Sequence, residues 1–310
     1  MLELTNKYRT LTLRIDTEHA EPIALIDASG ENRLWKGDSE YWAKHDPILF
    51  PTIGKCFDGR IIVDGKPYPM PKHGFANQGP WQVVEHATND MGEDHLILEF
   101  HDNADTFTHY PFHFRVQQTF EVQNDNTLQV SWRVSSDVDL PFMMGAHPAF
   151  ALPYFDPNDK VHGYLQLDIP TIESHVVQPD GYLHEETVTV DLQEDATAST
   201  PLHLKYLLPL TNTTFQCDTL LDTRGFNREV TLLDKQHRPL VTLRHVMPVL
   251  ALWAPKHGCC PFVCIEPWCG ANDAPGYDGE FKDRPFLQHA APGYDWTDSY
   301  TIHVHTLPEA

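Results

Sequence analysis

Apolar and polar residues alternate with a period of two along much of this chain. From 112 to 122, Phe112, Phe114, Val116, Phe120 and Val122 take alternate positions, with His113 and Arg115 between them. The turn residues Asn124-Asp125-Asn126 follow, and Leu128, Val130, Trp132 and Val134 then occupy every second position. A period of two puts these apolar side chains on one face of a strand, so the segment predicts a hairpin with one buried face. Leu11, Leu13 and Ile15 alternate in the same way, as do Ile302 and Val304. Val230 and Leu232 run into the turn-like DKQHRP (234–239), and Val241 and Leu243 resume the pattern beyond it. In GRIIVDGKPYPM (59–70), Asp64-Gly65 is a favoured two-residue hairpin turn.

No stretch of ten or more residues carries a convincing amphipathic helical period, and the 25 prolines break nearly every apolar run. TPLHLKYLLP (200–209) is at most one short helix. The patterning therefore predicts an all-β chain of many short strands in one large antiparallel β-sandwich. Length leans towards two domains, but all-β chains often run this long as one unit. No Gly-, Ser- or Pro-rich block reads as a linker, so residues 1–310 are read as a single domain.

Charge narrows the partners. With 22 basic against 44 acidic residues, the formal net charge is −22. Such a surface repels phosphate backbones and anionic lipid, which argues against nucleic-acid and membrane roles and fits a small neutral ligand; solubility alone explains it equally well. MLELTNKYRTLTLRID at the start has no apolar core or cleavage site of a signal peptide, and no long apolar run suggests a membrane span. The expectation is a cytoplasmic protein, monomer or homodimer. Six cysteines, at 56, 217, 259, 260, 264 and 269, form no C-x-x-C pair and fit no standard zinc spacing, so they read as reduced thiols.

Three stretches combine polar groups with bulky, rigid neighbours: PKHGFANQGPW (71–81) with His73, PFMMGAHPAF (141–150) with His147, and VCIEPWCG (263–270) with Glu266. A histidine and a carboxylate in a semi-apolar setting form a pair able to give and take protons near neutrality. Each also has a structural reading. Glu266 can cap backbone N–H groups around Pro267, and each histidine can be a hydrogen-bonded core residue among 19 in the chain.

The order of these stretches resembles the aldose 1-epimerase (galactose mutarotase) family, and most closely its LacX-like branch. HGFAN is similar to the family's H-G-F-A-R, THYPFHF (108–114) to its Y-P-F-x-F strand, and GAHPAF (145–150) to G-x-H-P-x-F. VCIEPWCG resembles C-I-E-P-W-x-G, and FQCDTLL (215–221) a segment with a ligand-binding aspartate. The resemblance implies a β-sandwich enzyme that interconverts sugar anomers without metal or cofactor. It implies Glu266 as the base that takes the anomeric proton and His147 as the acid that protonates the ring oxygen. It also implies His73 and Asp218 as sugar-binding residues, with Trp268 against a sugar face. Two positions depart from the family: Lys55 and Asn77 stand where arginines are usual. Lysine lacks the planar fork of arginine, and the charge lost at Asn77 argues for an unphosphorylated aldohexose or disaccharide, with Arg224 and Arg228 as possible substitutes. The alternatives are a hexose-6-phosphate mutarotase and a non-catalytic carbohydrate-binding protein on the same scaffold. A metal enzyme using His303 and His305 is the most distant.

Overall fold

The computed structural model describes residues 1–177, 180–200 and 203–306. Among them, two antiparallel sheets carry the architecture. The larger runs, in spatial order, through Gln193–Glu194, Tyr206–Leu210, Gly163–Leu167, Glu229–Leu233, Pro239–His245, Trp296–Val304, Thr127–Ser135, Arg115–Val122, Asp94–His101 and Gln82–Thr88. The second runs through Leu183–Asp191, Thr171–Val177, Leu220–Asp222, Val249–Trp253, Phe262–Cys269, Met144–Ala146 and Ile48–Leu49. Ala149–Ala151 also pairs with Phe262–Cys269. Both sheets feed one buried apolar cluster, which holds Val116, Phe120 and Val130 of the larger sheet and Val263 and Ile265 of the second. Each such side chain contributes roughly 1.5–3 kcal/mol relative to exposure. This is the large antiparallel all-β fold that the alternation predicts. Among the described residues no helix is long and apolar enough to cross a membrane.

The hairpins follow from local chemistry. Leu128 faces Val122 and Val134 faces Val116 across the predicted pair, and Asn126 turns the chain at a φ of 66°. Asp64 and Gly65, at φ 50° and 73°, close the Arg60–Val63/Lys66–Pro69 hairpin. Leu232 pairs with Val241 across DKQHRP.

Two expectations fail. Residues 110–114 are not strand: the strand starts at Arg115, after the short helix Thr106–His109. Pro111 has no N–H to give a ladder, and the Asp102 carboxylate takes the Phe114 N–H at 2.9 Å instead. Within 200–209, Tyr206–Leu210 is a strand and not a helix, because it pairs with Gly163–Leu167 and so contributes to the larger sheet; residues 201 and 202 lie outside the described residues.

The strand Phe262–Cys269 positions the candidate chemistry. It lies inside the second sheet and every residue in it is buried. Alternation sends Val263, Ile265 and Cys269 one way and Cys264, Glu266 and Trp268 the other. Cys269 Sγ meets Asp298 Oδ2 of the larger sheet at 3.8 Å, so Glu266 faces away from that sheet.

Candidate active site

On that outward face lies a cavity of about 430 Å³. Glu266, His147, His73, Asp218, Asn77 and Trp268 all line it, together with Trp42, Lys44, Lys72, Trp253 and Asn272. Segments from Trp42 to Asn272 thus converge on one space of a size usual for small-molecule sites.

Glu266 is 1% exposed, and its Oε2 lies 3.2 Å from His147 Nε2. Burial drives the Glu266 carboxyl well above its ordinary range; nearby Lys72 opposes this, while Asp218 and Asp46 add to it. Burial also lowers His147 to about 3, with Lys72 contributing. Both shifts favour an uncharged pair, and although Oε2 and Nε2 stand 3.2 Å apart, Oε2 makes no hydrogen bond, so the two groups are close without being aligned. The flanking sequence fixes this contact. A Cβ on Gly145 would lie 2.7 Å from Trp268 Cδ1, so only glycine lets that strand close on Trp268. Trp268 Nε1 donates to Ala146 O at 3.2 Å, and Ile265 N–H donates to Pro148 O at 3.2 Å. The Trp42 ring stacks on the His147 imidazole at 4.7 Å and 28°, and Trp253 meets it edge-on at 5.7 Å.

His73 enters from the HGFAN turn. Its Nδ1 accepts the Gly54 N–H at 3.1 Å, which leaves the ring proton on Nε2 as a donor. Burial lowers its pKa well below the usual imidazole value, so it is a neutral donor. Gly74 is required next to it: its φ is 71°, and a Cβ would fall 2.1 Å from Phe50 O. Asp218, at φ 66°, closes a turn through its N–H to Phe215 O at 3.1 Å. Its Oδ1 also accepts Trp253 Nε1 at 3.1 Å, and Oδ2 accepts Thr219 Oγ1 at 3.3 Å. The turn-closing and cavity-lining roles coexist in one residue.

Lys55 does not line the cavity. Its Nζ donates to Asp180 O at 2.8 Å and lies 4.3 Å over the Tyr182 ring. Nor do Arg224 and Arg228: Arg224 is held by Asp222 at 2.8 Å and Thr171 O at 2.6 Å, and Arg228 Nε by Gly225 O at 3.3 Å. The cations in the wall are Lys72 and Lys44, which the sequence reading missed although Lys72 precedes His73 directly. Trp42 was missed too; its signal was a large aromatic inside the polar loop KGDSEYWAKHD (36–46).

Ligand atoms of His147, Cys264 and Glu266 lie within 4.8 Å of one another, the one cluster of three metal-type donors among the described residues. Burial, reinforced by Glu266, raises the Cys264 thiol well above its ordinary value, so a cation there must first displace a tightly held proton. The remaining cysteines do not gather with them, and all six are free. His303 and His305 are engaged by the Thr127 and Thr242 hydroxyls at 3.1 and 2.8 Å.

Comparison with known proteins bears on this arrangement. The family described as aldose 1-epimerase matches residues 23–303. Chromosomal Protein LacX of Lactococcus lactis subsp. lactis is 26% identical, with 98% of this chain and 99% of LacX aligned. A galactose mutarotase related enzyme from Lactobacillus acidophilus superposes with a TM-score of 0.81 at 25% identity, covering 98% of each chain. A galactose mutarotase-like protein from Lactobacillus casei superposes with a TM-score of 0.84 at 24% identity, covering 98% of this chain and 100% of its own. With the family match spanning nearly the whole sequence, the chain belongs to the aldose 1-epimerase family.

Proposed function

We propose that this protein is a mutarotase that interconverts the α and β anomers of a free aldose, with Glu266 and His147 moving the protons. The observation that carries this reading is the 3.2 Å contact between Glu266 Oε2 and His147 Nε2 in the wall of the cavity.

When a cyclic sugar binds, the single proton of the pair moves to His147, giving a carboxylate beside an imidazolium. Lys72 favours the carboxylate by its charge and by the same charge opposes the imidazolium. The Glu266 carboxylate takes the proton from the anomeric hydroxyl as a C1=O bond forms. The C1–O5 bond breaks with its electron pair going to O5, and His147 Nε2–H delivers a proton there. His73 Nε2–H donates a hydrogen bond to the same oxygen as charge develops on it. The uncharged Glu266–His147 pair then stands beside the open-chain aldehyde, so this state holds the same protons as the resting site. Rotation about C1–C2 presents the other face of the aldehyde, and the steps reverse to close the opposite anomer. No proton is gained or lost overall. Asp218 and Asn77 bind sugar hydroxyls, and Trp268 offers its ring to the apolar face of the sugar.

A second reading, a hexose-6-phosphate mutarotase, draws support from Lys72 and Lys44 in the cavity wall. Lys72 restores positive charge that Asn77 lacks, while Lys44 is shared with Glu21 at 3.7 Å, so the argument from Asn77 alone against a phosphorylated sugar no longer stands. Polarimetry on fresh α-glucose, α-galactose and glucose 6-phosphate, with wild type and Glu266→Gln, tests both readings. Acceleration of the free sugars that vanishes in the variant supports the first, and a strong preference for the phosphate supports the second. Wild type that accelerates none of them eliminates both.

A further inference from the structure

Asp46 is a buried carboxyl that the proton transfer above does not use. It is 2% exposed and precedes Pro47, which lines the cavity. Tyr300 reaches across from the larger sheet and donates its hydroxyl to Asp46 Oδ2 at 3.3 Å. The main chain pairs the segment around Asp46 with residues on both sides of His147: Ala146 pairs with Ile48, and Ala149 N–H donates to His45 O at 2.9 Å. Asp46 Oδ1 is buried with no hydrogen-bond partner among the described residues. The Asp46 side chain thus holds to the larger sheet the segment that pairs on both sides of the candidate acid.

We propose that Asp46 is a positioning residue for His147, anchoring to Tyr300 of the opposite sheet the segment that pairs on both sides of the histidine, so that Nε2 stays beside Glu266. The proposal rests on the mutarotase reading. The titratable groups facing Asp46 are Glu21, itself paired with His45 and Lys44, then Cys264 and Glu266 on the central strand, His147, and Tyr300. Burial, and after it the charge of Glu21, holds the Asp46 carboxyl up to about 8. At neutral pH it is therefore an uncharged acid, and an amide of the same shape can replace it. Above that value it ionises beside Glu266 and opposes formation of the Glu266 carboxylate, so activity falls as pH rises through about 8.

The test combines pH–rate profiles of wild type, Asp46→Asn and Asp46→Ala with NMR of the His147 imidazole. Asp46→Ala is expected to lower kcat on the order of a hundredfold with little change in KM, since misplacement without lost sugar contacts acts on the chemical step. Asp46→Asn is expected to rescue neutral-pH activity to within about threefold of wild type and to lose the alkaline decline. The His147 ring resonances should shift in Asp46→Ala and return in Asp46→Asn, a readout that holds even where the protein turns over no sugar. Where Asp46→Ala does not fold, the Asp46→Asn profile and the resonances decide alone. An Asp46→Ala enzyme as active as wild type overturns the proposal. So does an Asp46→Asn enzyme that keeps the alkaline decline, or His147 resonances that ignore both substitutions. Loss of the mutarotase reading shows itself separately, as wild type without activity.

Discussion

Glu266 and Asp273 lie seven positions apart and are 1% and 5% exposed, yet their surroundings differ completely. Asp273 takes three donors. Arg284 Nε reaches Oδ1 at 2.5 Å, its terminal nitrogen reaches Oδ2 at 2.7 Å, and Phe57 N–H reaches Oδ2 at 2.8 Å. That set ties residues 57, 273 and 284 together. Glu266 has no bonded cation; its Oε2 faces a histidine whose Nδ1 has no hydrogen-bond partner among the described residues. A buried carboxylate with both oxygens held by donors serves the fold. One left facing a titratable partner and a cavity is poised to move a proton.

The comparison breaks most visibly through activity. Glu266→Gln and His147→Asn should each slow mutarotation about a thousandfold, and the double variant should be little worse than either, because the two act as a unit. Polarimetry that finds multiplicative losses would sever the pair. On the other side, Asp273→Ala leaves Arg284 buried without its partner and should cost about 3–5 kcal/mol of stability in urea unfolding. An unchanged unfolding midpoint would remove the contrast with Glu266.

Stability against pH sharpens the contrast further. The folded state holds the Glu266 proton above the ordinary 4.5 that applies on unfolding, so its contribution is full below 4.5 and shrinks as pH rises past it. Glu266→Gln removes that loss, and its Tm advantage over wild type should grow from acidic to mildly alkaline buffer. A constant difference would mean that the carboxyl is ionised in the resting protein. Smaller effects come from the cations. Lys72→Met should lower turnover of glucose 6-phosphate about tenfold more than that of glucose if the cavity takes the phosphate. Lys55→Met should change kcat/KM by less than about twofold, since its ammonium is spent on Asp180 O and the Tyr182 ring.

Much of the fold was legible in the sequence because the strands carry their own signal: alternation in 115–135 and 230–243, and Asp64-Gly65 at a turn that needs positive φ. The strand at 206–210 was not, since its apolar run has no clear period and its conformation comes from pairing with Gly163–Leu167. Glu266, His147 and His73, which line the cavity, stand in motifs in which glycine or proline restricts the backbone, as at Gly74 and Gly145, whereas Asp218 stands in FQCDTLL, which holds neither. Lys55 misled because a charge at a family position says nothing about where its side chain points. Lys72, Trp42 and Asp46 were missed because their importance depends on what lies across the fold: a stacked imidazole for Trp42, and Tyr300 for Asp46, 254 positions away.

The central claim is that the Glu266–His147 pair exchanges protons with an anomeric centre. Saturation transfer between the α and β anomeric protons of an aldose at equilibrium measures this directly. Irradiating one anomer should deplete the other in the presence of catalytic wild-type protein, and the transfer should vanish with Glu266→Gln of unchanged fold. Equal transfer by wild type and Glu266→Gln would contradict the account.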